Sequence, residues 1–284
     1  MPITDRVPVP APTAGPDQPD QPDQPDQPDQ VRLRPALALL DLVLPVTCAG
    51  CGRPGPALCP RCLGRWSGPP RRCEHGAARL DRMDGTVLPV WALAANDGPV
   101  RRAVVAWKDG GRADVTPWFA ELAGRAARWL VAGAPGSGVD PAGGALRGPV
   151  VVVPAPPSRR GHAARGEDLV AALARACAAR ASPGSTTSRA LRLAGRGRDQ
   201  VGLGLRARAA NLDGRVRVRP RVRAALVGAR VLVVDDVLTT GATLAACRTA
   251  LERVGAQVAG GLVLAVTRPP GSPTAWLVRA TDPG

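Results

Sequence analysis

Short, continuous apolar runs alternate with stretches of helical spacing through the second half of the chain. Residues 149–153 (PVVVV) form a β-branched run, the mark of a strand buried on both faces of a parallel sheet. In 166–180, Leu169, Leu173 and Cys177 recur every fourth residue, which is helical spacing. A weak strand is predicted over 190–193, and a polar, arginine-rich mobile loop over 198–212. The strongest buried strand falls at 229–235 (ARVLVVD). A helix is predicted over 241–254, with Leu244, Cys247, Leu251 and Val254 on one face, and a last strand over 257–267. Strands alternating with helices imply right-handed crossovers, so the expected fold class is α/β, a parallel sheet flanked by helices.

The first half is less regular. The pattern predicts a short apolar helix at 34–47, a strand at 86–96, helices at 99–108 and 116–131, and a Gly/Pro-rich loop at 133–148. Residues 17–30 repeat Asp-Gln-Pro without hydrophobic content, so they cannot offset their ordering entropy. This gives a disordered tail over 1–33, a cysteine-bearing module over 34–80, the α/β domain over 86–270 and a C-terminal tail over 271–284. The tail is open to two readings, a binding segment or a product of repeat slippage.

Composition narrows the core and the partners. Of 284 residues, 45% are hydrophobic but only 2% aromatic, so the core must be built from Val, Leu and Ala. Lys and Arg total 38, and Lys108 is the single lysine, a bias typical of GC-rich coding. Much of the arginine is therefore read as solvated surface. The net charge of +15 still attracts polyanions, while the scarcity of aromatics leaves few stacking platforms for bases. Charge favours anionic ligands over sequence-specific DNA reading. No apolar run reaches the roughly 20 residues that span a bilayer. The N-terminus is rich in Pro and Asp, unlike a secretory leader. A cytoplasmic protein without membrane insertion is expected.

The candidate chemistry centres on 231–243, VLVVDDVLTTGAT. The reading is a buried strand ending in Asp235 and Asp236, a loop of Val237, Leu238, Thr239 and Thr240, and a helix opened by Gly241, Ala242 and Thr243. Ligands of open α/β sheets bind at the carboxyl ends of strands, and a helix N-terminus offers free N–H groups to a phosphate. The threonine hydroxyls add donors, and Gly241 would let the backbone approach the anion. Two carboxylates suit a phosphate that belongs to a sugar, whose hydroxyls they can accept. Ordinary capping explains one Asp and one Thr but not the whole string.

This string resembles the phosphoribosyl pyrophosphate (PRPP) signature of type I phosphoribosyltransferases. The resemblance implies that Asp235 and Asp236 hold the ribose hydroxyls and that 237–243 hold the 5′-phosphate. Further segments resemble the ComF family of phosphoribosyltransferase-like competence proteins. In 151–166 (VVVPAPPSRRGHAARG), Pro154, Ala155, Pro156, Arg159, Arg160 and Arg165 would form the pyrophosphate loop, where backbone amides and guanidinium groups suit a diphosphate. In 200–211 (QVGLGLRARAAN), Gln200, Arg208 and Asn211 fall in register with a lid. In 97–111, Lys108 falls at the family's lysine. Departures occur at Glu167, Asp168 and Leu169, where the family has Phe-Asn-Gln, and at Asn96, where it often has Tyr.

Seven cysteines occur, four of them as Cys48-x-x-Cys51 and Cys59-x-x-Cys62. Two such pairs can surround a tetrahedral zinc ion, a closed structural site. A redox Cys-x-x-Cys would sit beside a βαβ pattern, and neither pair does. Cys73 and His75 are alternative ligands, or a spare thiol and a surface histidine. Cys177 and Cys247 lie on apolar helix faces and are read as core.

Two functions follow from the resemblance. One is an enzyme that transfers a 5-phosphoribosyl group from PRPP to a nitrogen base with Mg2+, using Asp235, Asp236 and Lys108. No dedicated general base is visible, and His162 qualifies only by location. The other is a non-enzymatic PRPP- or nucleotide-binding accessory in DNA uptake, with single-stranded DNA and a helicase as partners.

Overall fold

The computed structural model describes residues 46–74, 77, 80, 87–132, 148–157, 169–194 and 214–267. The 1–33 tail, most of the 34–47 helix and the 271–284 tail lie outside them, as do the 198–212 loop and most of 133–148. The described residues belong to the compact unit Pro45–Gly284.

In chain order the elements are α1 (Pro60–Leu63), β1 (Arg71–Arg72), β2 (Val90–Ala95), α2 (Gly98–Lys108), α3 (Thr116–Ala132), β3 (Val151–Pro154), α4 (Leu169–Arg180), β4 (Thr186–Thr187), β5 (Leu191–Leu193), β6 (Val216–Val218), α5 (Arg223–Leu226), β7 (Arg230–Leu238), α6 (Ala242–Glu252) and β8 (Gln257–Val266). A six-stranded sheet runs β1-β2-β8-β7-β3-β4. All its pairings are parallel except β1 with β2. The expected α/β class, a mostly parallel sheet flanked by helices, is the one observed.

The period of two along the central strand divides the core. Leu232 and Val234 of β7 join Trp91, Leu93 and Leu262 under α2, α3, α4 and the cysteine segment. Val231 and Val233 join Val90 and Val263 under α6, with the β5–β6 ribbon and Leu80. Both faces are covered, which is why β7 reads as an unbroken apolar run. Three of the few aromatics sit together: Phe119 meets Trp66 and Trp107 edge-on, with ring centroids at 5.4 and 5.1 Å.

Three strands escape the sequence pattern. β1, β4 and β6 have two or three residues each, too short to show a period. The predicted 190–193 strand forms as β5, but it pairs antiparallel with β6 in a separate two-stranded sheet. The predicted strand at 229–235 runs three residues further. Parallel pairing continues through Val237 with Ala265 and Leu238 with Val266, so both acids lie inside the carboxyl-terminal part of β7, with two strand residues after them.

Candidate functional site

The carboxyl end of β7 places Asp235 and Asp236 one after the other on a strand, so their side chains leave opposite faces. Asp236 is buried, at 6% exposure, and continues the Leu232–Val234 row. Its Oδ1 accepts a hydrogen bond from Val237 N at 2.7 Å. Its Oδ2 lies 2.5 Å from Lys108 Nζ. Asp235 Oδ1 accepts from Asp236 N at 2.9 Å. Burial and the neighbouring Asp236 charge push the Asp235 carboxyl above the usual range, against the pull of Lys108. Its charge also reaches the Cys247 thiol of α6.

Lys108 is the last residue of α2, whose apolar face (Val100, Ala103, Val104, Trp107) is buried against the sheet. Burial works against its charge, but Asp236, Asp235 and Asp109 outweigh it and hold the ammonium above its ordinary value. The structure thus joins two segments that the sequence could only place in parallel: the lysine and the paired acids.

Between β7 and α6 the chain turns through Thr239 and Thr240. Gly241 is the N-cap of α6, with φ 80° and ψ 0°. The loop is therefore shorter than expected, because Val237 and Leu238 belong to the strand. The structure adds a second reason for the glycine. A Cβ there would sit 2.7 Å from Leu80 Cγ and 3.2 Å from Ala77 Cβ. Its close approach is to this apolar segment, and its left-handed backbone disfavours any L side chain. Among the described residues no side chain caps α6, since the N-cap itself has none to offer. Among the described residues its first-turn amides thus have no side-chain acceptor. Capping by a side chain, the rival explanation of this string, is not found among the described residues.

β3 runs parallel to β7 with Pro154 opposite Val234, which brings 154–156 beside the acids. The expected amide donors are missing from this part of the loop. Pro154, Pro156 and Pro157 carry no N–H, and Ala155 N already donates to Val234 O at 2.8 Å. Arg159, Arg160 and Arg165 lie outside the described residues, as do Gln200, Arg208, Asn211 and His162.

Cys48, Cys51, Cys59 and Cys62 form a second site. Their sulfurs all lie within 4.8 Å of one another. Cys51 Sγ and Cys59 Sγ are 3.7 Å apart, and a tetrahedral ion with bonds of about 2.3 Å needs sulfurs about 3.8 Å apart. Gly50 makes the turn possible, because a Cβ there would meet Cys62 Sγ at 2.9 Å. Burial opposes the Cys48 thiolate, but amides of Cys59, Cys51 and Gly50 bring the thiol down to about 6. Burial and the neighbouring sulfurs push Cys62 up. Four thiols gathered this closely fit a cation with soft-ligand preference. Cys73 is not among them: it is buried and its thiol donates to Val90 O at 3.3 Å. His75 lies outside the described residues. Cys177 and Cys247 are fully buried, as read from the sequence.

Sequence reasoning passed over three residues. Arg102 donates from Nε to Gly50 O at 2.7 Å, and Arg112 donates from Nη2 to Thr47 O at 2.8 Å. In an arginine-rich chain nothing sets these two apart. Glu74, at 2% exposure, pairs with Arg72 and accepts from Cys73 N and Val90 N. Its polar neighbours in the sequence, Arg72 and His75, give no hint that it is buried.

No protein-family model matches the chain, and no curated protein matches it by sequence. Four chains of solved structures match. One is described as the allosteric regulatory enzyme of purine biosynthesis, with 20% identity over 53% of this chain and a TM-score of 0.29. The match spans 26% of that enzyme's own chain. Among the described residues no helix is long and apolar enough to cross a membrane.

Proposed function

We propose that the protein binds PRPP at the junction of β7 and α6 and transfers its 5-phosphoribosyl group to a nitrogen base, in the manner of the ComF family. The observation that carries this reading is the arrangement around Asp236. Two acids at the carboxyl end of a central strand precede an uncapped helix N-terminus, and a lysine from another helix is paired to the second acid.

In this reading the 5′-phosphate rests on the amides of the first turn of α6 and on the hydroxyls of Thr239, Thr240 and Thr243. Asp235 and Asp236 accept the ribose hydroxyls with the lone pairs their backbone contacts leave free. Magnesium bound with PRPP would supply positive charge to the departing diphosphate. Lys108 neutralises Asp236 while the sugar is absent and stands ready to turn toward the diphosphate when it arrives. The bond from ribose C1 to the diphosphate oxygen breaks with its electron pair leaving on the diphosphate, and the base nitrogen attacks C1. The chain contributes positioning and electrostatics rather than a covalent intermediate. At the cysteine cluster a zinc ion would be structural, because four thiolates leave it no open position.

The test is incubation with PRPP, Mg2+ and a panel of bases, following pyrophosphate release. Turnover that Asp235→Asn abolishes supports the enzyme; absence of both PRPP binding and turnover in folded protein overturns it. A second reading, a PRPP-binding accessory that handles DNA with a helicase, draws on one observation. Arg53, Arg61, Arg65 and Arg102 line a hollow of about 410 Å³ beside the cysteine cluster. PRPP binding without turnover, together with salt-sensitive binding of single-stranded DNA, would favour it.

A further inference from the structure

The cysteine cluster and the Lys108–Asp236 pair are joined by a continuous set of contacts through α2. In its second turn, Arg102 donates to Gly50 O at 2.7 Å. Pro99 O lies 3.2 Å from where a Cβ on Gly50 would sit, so the knuckle backbone presses directly on the helix start. Just beyond its last turn, Arg112 donates to Thr47 O at 2.8 Å. Arg112 is itself held in a two-point pair by Asp114, at 2.9 and 2.7 Å. The 47–50 segment of the cysteine knuckle therefore holds Arg102 within α2 and Arg112 just after it, on either side of Lys108 in the sequence. A second route runs through rings. Trp66, four residues after Cys62, meets Phe119, and Phe119 meets Trp107, the residue before Lys108.

We infer that the cysteine knuckle is the support that holds Lys108 against Asp236, and that Arg102 and Arg112 are its positioning residues. Neither arginine reaches the acids in this arrangement; each acts by fixing where the end of α2 lies. A metal bound by the four cysteines would stiffen 47–51 and so fix both arginine contacts. The metal state of one site thereby sets the geometry of the other. The PRPP readout below rests on the proposed function; the labelling readout does not.

The experiment exploits the single lysine of the chain. Its ε-amine is acylated under limiting reagent in the full-length, zinc-loaded protein, and the rate at Lys108 is read by peptide mass spectrometry. Arg102→Ala, Arg112→Ala and the double variant are compared with wild type, with zinc content and melting temperature recorded for each. The expected result is unchanged zinc content, with acylation of Lys108 about fivefold faster in the double variant, the scale of a coupling between neighbouring groups. Wild type stripped with a chelator shows the same acceleration. Affinity for PRPP with Mg2+ falls by a similar factor in the arginine variants, and the fall disappears in a Lys108→Ala background. A merely structural role would lower affinity equally in both backgrounds, and that outcome overturns the inference. So does unchanged acylation in a folded double variant; the single variants serve the same comparison if the double fails to fold. If wild type binds no PRPP while the acylation result holds, the proposed function fails and this inference stands.

Discussion

The ammonium of Lys108, at the end of α2, lies 2.5 Å from Oδ2 of Asp236, within β7. One partner is nearly half exposed and the other is buried. The carboxylate therefore depends on the lysine more than the lysine depends on it, because a buried charge without a partner carries a desolvation cost that a surface charge does not. On the strand's other face, Asp235 feels Lys108 without pairing to it, and burial and Asp236 hold it above the usual carboxylate range. Two adjacent acids thus have different partners: Asp236 the lysine, Asp235 the amide of Asp236.

Replacing Lys108 by Ala leaves Asp236 buried without its cation. The expected loss is about 1–2 kcal/mol, below the value for a fully buried pair because water screens the exposed ammonium. Denaturant unfolding measures it. PRPP affinity with Mg2+ should fall by about tenfold, equivalent to about 1.4 kcal/mol. Unchanged stability and affinity would remove Lys108 from the site.

Asp235→Asn should raise the melting temperature of the ligand-free protein while abolishing turnover. The carboxyl's folded value lies above its unfolded one. The folded state thus binds more protons, and stability falls as pH rises above the ordinary carboxylate range, until the folded group has ionised. The amide cannot ionise, so the variant should lack this loss. Melting curves across that range give the comparison, and parallel curves for the two proteins would contradict it.

Gly241→Ala combines a left-handed backbone with a Cβ 2.7 Å from Leu80 Cγ. The two effects together should cost about 2–4 kcal/mol. Adding Leu80→Ala should restore the steric part alone, so the double variant should be more stable than the sum of the two single losses. Strict additivity in a double-mutant cycle would show that the two residues do not meet.

Metal removal should destabilise the whole unit, since Cys48 and Cys62 are part of the core that also holds Trp66, Trp107 and Phe119. Chelation at neutral pH should release one zinc ion per chain and lower the melting temperature by about 10 °C or more. Acidification should weaken zinc retention, because protons compete for the thiolates. Zinc content by elemental analysis, followed against pH, checks this.

Much of this organisation is visible in the residues. The runs at 149–153, 229–235 and 257–267 form buried strands because each is covered on both faces, and period and burial then agree. The cysteine spacing forecasts the cluster because two tight turns suffice to gather four sulfurs. Other features depend on partners far along the chain. The extension of β7 past Asp236 is set by pairing with β8, which no local property of Asp-Asp announces. Asn96 was noted only as a departure, yet its Nδ2 donates to Thr267 Oγ1 at 2.9 Å across two strand ends. The second constraint on Gly241, its contact with Leu80, is invisible from the loop itself. Arg102 and Arg112 are two arginines among many, distinguished only by the carbonyls they find.

The bare start of α6 has a thermodynamic corollary. Helix ends normally complete themselves with a nearby oxygen, and among the described residues no side chain supplies one here, which leaves the place open to solvent or a docking anion. Ligand and helix thus share a single unfinished turn. Amide exchange at Ala242, Thr243 and Leu244 should be quick in the empty protein and slow once an anion arrives, so that occupancy is written directly into the backbone.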